Sequence, residues 1–240
     1  MLSRKGGFRS LTLALALTVF ASTAAFADSA ITLTHVHGLS YSGDGEQLLI
    51  PSHHGLAVFS EGRWSMAAGP AHDYMGFSAT GDSLYSSGHP APRSALTNPF
   101  GLIKSRDGGN TWQKLGLEGE SDFHSLATSH GTNTVYVFNP HPNSRMKQSG
   151  IYYTRNDGLR WKRAAARGLN GELNGLAVHP TDPDVVAAGT EKGLYLSRNA
   201  GETFERLVGD VRVFAETFDF DGEQLWFSTM QGRLASSGSR

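Results

Sequence analysis

The chain carries ten histidines and no cysteine in 240 residues. A metal bound here would therefore rest on imidazole, carboxylate and thioether, never on thiolate. The histidines gather in short stretches: "HVHG" (35–38), "SHHG" (52–55), "HDYMG" (72–76), "SGHP" (87–90) and "DFHS" (122–125). Imidazole serves copper and zinc alike, the thioether of Met75, Met146 or Met230 biases a site toward Cu(I), and three histidines suffice for a tetrahedral ion. The candidate ligands are His35, His37, Met75 and His124, with His53, His54 or His89 completing the shell from above. Asp73, Asp122 and Glu172 accompany them. Two such carboxylates flanking a glycosidic bond would instead make an acid and a base or nucleophile. Each residue also has an ordinary role open to it. A strand-end histidine is commonly a hydrogen-bonded surface or core residue, and a loop carboxylate commonly caps backbone N–H groups.

Whether these residues meet depends on the elements that carry them. Short apolar runs such as "QLLIPS", "TVYVFN", "DVVAAG" and "QLWFST" alternate with Gly/Asp/Asn punctuation, the pattern of many short strands. Five units align. Their first strands are expected at 35–42, 73–80, 122–129, 172–179 and 212–219, each built around a small residue: Gly38, Gly76, Ser125, Gly175 and Ala215. One position before it stand His37, Met75, His124, Asn174 and Phe214; two before, the apolar Val36, Tyr74, Phe123, Leu173 and Val213; three before, His35, Asp73, Asp122, Glu172 and Arg212. That period of two puts the chemistry-bearing residues on one side of each strand. The loops after the second strands add His53, His54, His89 and His141, and two of these loops, 89–100 and 139–149, are long.

A second repeat lies on the other side of each unit. "SRDGGNTW" (105–112) recurs as "TRNDGLRW" (154–161) and "SRNAGETF" (197–204), roughly 45 residues apart, the size of a four-stranded propeller blade. The chemistry of the octapeptide is that of a hairpin turn: Ser/Thr and Asp/Asn side chains satisfy loop N–H groups, Gly supplies a positive φ, and the aromatic plugs the core.

The octapeptide resembles the Asp-box (BNR) repeat of sialidases, sortilin-type domains and photosystem II assembly propellers. In that family it is a structural turn on the face away from the ligand. With "HVHGLS", "HDYMGFSA", "SSGHP" and "NPFGLIKS", the chain is also similar to small secreted bacterial propellers often labelled glycosyl hydrolases. The resemblance implies an all-β fold, a single propeller of about five four-stranded blades, six being the alternative, with the ligand face at the start of the inner strands. The last unit ends without room for an outer strand, and "AITLT" (30–34) is the segment available to supply it and close the ring. Sialidases of this family grip a carboxylate with an arginine triad on the inner strands; only Arg212 stands at such a position here.

The N-terminus bears Arg4, Lys5 and Arg9, then the apolar run 11–27 ending in Ala25-Phe26-Ala27, which reads as a signal peptide cleaved before Asp28. The mature domain is then 28–240, and the protein is periplasmic or secreted. Full-chain net charge is −1, and loss of the leader takes the mature protein to about −4, which argues against nucleic acid or an anionic membrane as partner. The expectation is an exported monomer without a membrane anchor. It acts as a non-catalytic module that holds copper or zinc and works with a periplasmic protein partner. The alternatives are a pure interaction scaffold, using apolar loop residues Tyr74, Leu96 and Phe100, and a glycoside hydrolase using Asp73, Asp122 or Glu172.

Overall fold

Runs rich in β-branched and aromatic residues between Gly-rich turns pair with the next run along the chain, so each unit becomes an antiparallel meander. A computed structural model of the chain describes residues 31–229 in full and 234–238 as backbone; the expected signal peptide lies outside the described residues. Blade 1 comprises β1 (Ser40–Tyr41), β2 (Leu48–Ser52), β3 (Gly55–Ser60) and β4 (Arg63–Met66). Blade 2 comprises β5 (Asp73–Ala79), β6 (Leu84–His89), β7 (Leu102–Ser105) and β8 (Gln113–Gly116). Blade 3 comprises β9 (Leu126–Thr128), β10 (Val135–Asn139), β11 (Gly150–Thr154) and β12 (Lys162–Arg163). Blade 4 comprises β13 (Leu173–Val178), β14 (Val186–Thr190), β15 (Gly193–Ser197) and β16 (Glu205–Gly209). Blade 5 has three strands, β17 (Val213–Phe218), β18 (Gln224–Thr229) and β19 (Leu234–Gly238). No helix occurs among the described residues. The architecture is the expected β-propeller.

Consecutive blades pack face to face, and each seam is filled from both sides. Leu49 and Leu56 meet Tyr74, Phe100 and Ile103 between blades 1 and 2; Tyr85 and Leu102 meet Phe123, Val135 and Val137 between blades 2 and 3. Tyr136 and Tyr153 meet Val186 and Tyr195 between blades 3 and 4, and Ala187 and Leu194 meet Val213 and Leu225 between blades 4 and 5. At the end of the ring opposite His37, His53 and His89 the turns converge. Gly81 N–H donates to the His130 carbonyl, Gly131 N–H to that of Pro180, and the Phe220 ring lies 4.8 Å from His130.

The seam between blades 5 and 1 differs. The face of blade 5 turned away from blade 4 leaves Phe214 43% and Trp226 39% exposed, and blade 1 leaves Val36, Leu39 and Tyr41 exposed. The expectation for 30–34 needs correction here. Residues 31–34 are not in a strand; the Thr34 carbonyl accepts the His53 N–H and Val36 bridges Ser52. The segment therefore runs beside the end of β2 in blade 1, and no bond of the described residues ties it to the edge of blade 5.

The three octapeptides are turns, as their chemistry requires. In the first, the Ser105 hydroxyl donates to Asp107 Oδ1 and accepts from Gly109 N–H, while Asp107 accepts both the N–H and the hydroxyl of Thr111. The bonds from the Thr111 hydroxyl, the Thr111 N–H and the Ser105 hydroxyl hold the Asp107 carboxyl down at about 2. Thr154/Asn156 and Ser197/Asn199 repeat the core of the arrangement with neutral amides. In the second box Asp157, at φ 54°, reaches back to blade 2, where it accepts from the Tyr85 hydroxyl at 2.6 Å and from buried Lys104 at 3.1 Å. Water reaches Asp157 but not Lys104, so removing the carboxylate strands a cation in the core. Asp157→Ala is expected to cost about 3 kcal/mol, and Tyr85→Phe about 1, in urea unfolding of the mature protein.

Candidate metal centre

The expected inner strand at 35–42 is only two residues long, so a strand's alternation does not align His35 with His37. A different device brings them together. His35 takes φ 51°, and His37 N–H donates to the Pro51 carbonyl. The segment is thereby laid against the β2–β3 hairpin, whose turn carries His53 and His54. Val36, aligned with the buried Tyr74, Phe123 and Val213, is 53% exposed for the same reason. The His53 ring stacks with both His35 (4.3 Å between centroids) and His37 (5.0 Å). At the start of β5, Asp73 completes the group: Oδ1 lies 3.3 Å from His37 Nε2 and Oδ2 3.5 Å from His53 Nε2. One donor atom from each of His37, His53 and Asp73 falls within 4.8 Å of the others.

A second group forms on the next two blades. His89, ending β6, pairs in register with Asp73 on β5. Its Nε2 is 3.1 Å from Asp122 Oδ2, and the same oxygen is 2.9 Å from His124 Nε2. Residues 122–124 precede β9 and are pinned by the Phe123 N–H donating to Ser87 Oγ. Loop 90–101 is pinned by Phe100 N–H on the Gly88 carbonyl and by Ala91 N–H on His72 Nδ1, which places Asn98 Oδ1 2.6 Å from His89 Nδ1. Gly88, at φ 144°, is needed where it stands: a Cβ would collide with the Asp73 carbonyl.

The electrostatics suit a cation. Burial lowers the pKa of His37, Asp73 opposes that, and His53, His124 and His35 reinforce it, so His37 favours its neutral, ligating form. His37 Nε2, Asp73 Oδ1 and Asp122 Oδ1 are buried without a hydrogen-bond partner. His37 and Asp73 are thus close enough to attract yet not aligned to bond. Tetrahedral zinc separates its nitrogen and oxygen donors by about 3.3 Å, close to the spacing of these two pairs.

Not every expected ligand joins. His54 is exposed, its ring edge-on to His53 at 6.4 Å. Among the described residues, Met75 is half-buried and belongs to neither ion-pair group. Met146 is buried in the seam between blades 2 and 3, which removes it as a ligand, and Met230 lies outside the described residues. Glu172 is exposed at the rim. His72 is a core residue accepting a backbone N–H, with burial lowering its pKa. Tyr74 and Phe100 are fully buried and offer no docking surface, while Leu96 packs on the same core and stays partly exposed.

Sequence reasoning missed Asn98 and Glu216. Glu216 lies on β17 with solvent at its stem, but both carboxylate oxygens are buried against Gly175 and Gly189 of blade 4. Burial pushes its carboxyl up to about 7, a Gly189 N–H opposing. The signal was available: Glu216 follows the small residue of its unit at the position where the other four units have Leu39, Phe77, Leu126 and Leu176.

No protein-family model and no curated protein matches the chain. Among solved structures it is similar to a gluconolactonase from Xanthomonas campestris, at TM-score 0.60 and 14% identity over 85% of this chain and 72% of that one. It is also similar to a nidogen/laminin complex chain, at TM-score 0.61 and 13% identity over 85% and 75%. An ancestral glycoside hydrolase family 74 enzyme gives TM-score 0.51 and 13% identity over 86% of this chain and 30% of that one. The fold is that of the β-propellers. Its neighbours include both enzymes and a binding protein, so at these identities the fold alone is shared.

Proposed function

We propose that this chain is an exported propeller of the Asp-box type that works as a non-catalytic binding module. It holds a transition metal, copper or zinc, on His37, His53 and Asp73 at the mouth of the ring, and keeps or delivers the ion to a periplasmic partner. The observation that carries the reading is the convergence of two imidazoles and a carboxylate from three separate segments, with His37 Nε2 and Asp73 Oδ1 buried and otherwise unpartnered. The residues present fit a borderline-soft divalent ion: neutral imidazole and carboxylate, with the His35 ring stacked on His53 beside the converging donors. These side chains bind and orient the ion and partly screen it from water; the ion would act there as a Lewis acid. Asp73 and Asp122 both face imidazoles, which favours this reading over a glycoside hydrolase built on the same carboxylates.

A scaffold role finds its support elsewhere than in the loops, in the exposed Val36, Leu39, Tyr41, Phe214 and Trp226 beside the seam of blades 1 and 5. One experiment separates the two. The mature protein, purified from the periplasm, is analysed for metal by mass spectrometry and titrated with Cu(I) and Zn(II). The expected result is a tightly held ion at these residues, lost in His37→Ala/His53→Ala. A chain that binds neither metal, with a partner still captured by the double variant, is a scaffold.

A further inference from the structure

We propose that the seam between blades 5 and 1 docks a segment of a partner protein that is apolar along its length and carries Lys or Arg at one end. This rests on the reading above only for the chain's being an exported binding module, not for its ion. The inner strands pack in series: β5 on β1 and β2, β9 on β5, β13 on β9, and β17 on β13 and β14. No comparable packing returns from β17 to β1 among the described residues. Both walls of this seam are nonetheless apolar. In blade 1 the register runs from Tyr41 to Leu48 to Phe59 to Trp64, a row with one apolar side chain from each strand. Strand alternation turns the row away from Leu49 and Val58, which pack toward blade 2. Tyr41 is 60% exposed, and the other three are half-buried. In blade 5, Trp226 pairs with Thr217 on the face opposite Leu225 and Phe227, and Phe214 is exposed toward the start of β17. Apolar surface gathered in this way marks a protein-binding face.

The charge of the occupant follows from one end of the seam. The β1–β2 turn carries Asp44 and Glu46, and the β17–β18 turn carries Asp219, Asp221 and Glu223. The two turns adjoin, since Phe220 Cε2 lies 3.9 Å from where a Cβ on Gly45 would stand. Asp44 and Asp221 cap the Glu46 and Glu223 N–H groups, and none of the five acids enters an ion pair among the described residues. The nearby basic residues are engaged: Arg212 lies 3.6 Å from Glu191, and Arg63 has a partner of its own. An apolar segment ending in Lys or Arg answers both the walls and the acids, the charges steering and orienting it. A second copy answers only the walls. It brings the same acids, and the mature chain is already at about −4.

The test replaces Tyr41 or Trp226 with the photo-crosslinker p-benzoylphenylalanine in the full chain, exported in the cell it comes from. Leu159, 74% exposed on blade 3, is the control position. Mass spectrometry of the joined peptide reads the sequence of the captured segment. Adducts are expected at 41 and 226 and not at 159, to a segment of another protein with an apolar run next to Lys or Arg. Glu46→Lys/Glu223→Lys, one exposed turn position on each side of the seam, should cut the yield roughly tenfold. Circular dichroism of that variant guards against lost folding. Adducts between two copies of the chain overturn the proposal in favour of a self-interface. Adducts to acidic or wholly polar segments, no adduct above the control, or a yield unmoved by the charge reversal also overturn it. Metal content is measured on the same samples. A retained ion without the adduct overturns the docking alone, and the adduct on metal-free protein overturns the ion and leaves the docking.

Discussion

Replacing His53 with alanine is expected to weaken Zn(II) binding by roughly 10²- to 10³-fold, about a quarter of the binding free energy of a four-ligand site. His53 is the residue to remove because it does two things. Its Nε2 faces Asp73, and its ring is stacked with both His35 and His37. Its loss removes one donor and loosens another, His37, along with the His35 ring. Asp73→Asn keeps the shape and takes away the charge; it should also weaken binding, by less than His53→Ala. His54→Ala is the control, since that residue is exposed and meets the group only edge-on. Isothermal titration of the three variants reads the order. Equal losses in His53→Ala and His54→Ala would show that the turn is needed rather than the ligand.

Glu216→Leu is expected to stabilise the protein at pH 8 and to flatten its dependence on pH. The folded-state pKa, about 7, lies above the ordinary 4.5, so folding favours the protonated acid. The stability tied to this group is complete below pH 4.5, falls as pH rises, and is gone above about 7. The gap corresponds to on the order of 3 kcal/mol. Leucine is the residue that blade 3 uses at the matching position, where Leu126 packs against Gly76 of blade 2. Glu216→Gln should remove the pH dependence with a smaller gain, because its amide stays buried without a partner. His37 and His72, with pKa values lowered by burial, act in the opposite sense: their stability is present above pH 6.5 and is lost as pH falls below it. The quantity to measure is therefore the difference between wild type and variant in urea midpoints from pH 4.5 to 8. A difference that does not grow with pH would mean that Glu216 is charged and solvated in the folded protein.

An acid with both oxygens buried at a blade seam is costly, and the unit that carries it also leaves Phe214, Phe220 and Trp226 exposed. The four seams between consecutive blades are filled from both sides, while β18 buries Leu225 and Phe227 on one side and exposes Trp226 on the other.

The octapeptide at 105–112, the recurring small residue and the alternating runs were enough to determine an all-β propeller built from five units. The physical reason is that hairpin turns and strand alternation are local: a Ser-x-Asp-x-Gly turn closes on its own side chains whatever surrounds it. Residue types alone also marked the histidine-rich face, because each histidine sits at a strand end or in a turn that the repeat locates. Tertiary structure decided which of them meet. His35 and His37 reach His53 through a left-handed residue and a backbone bond to Pro51, not through a strand's alternation. His89 faces Asp122 because a loop from blade 2 and a pinned segment from blade 3 meet across a seam. Met146 went to the core and His54 to solvent, since a side chain's fate in a loop depends on what the neighbouring blade offers it. The division of one expected cluster into two, each about its own aspartate, comes from the width of a strand pair, a distance no spacing along the chain contains.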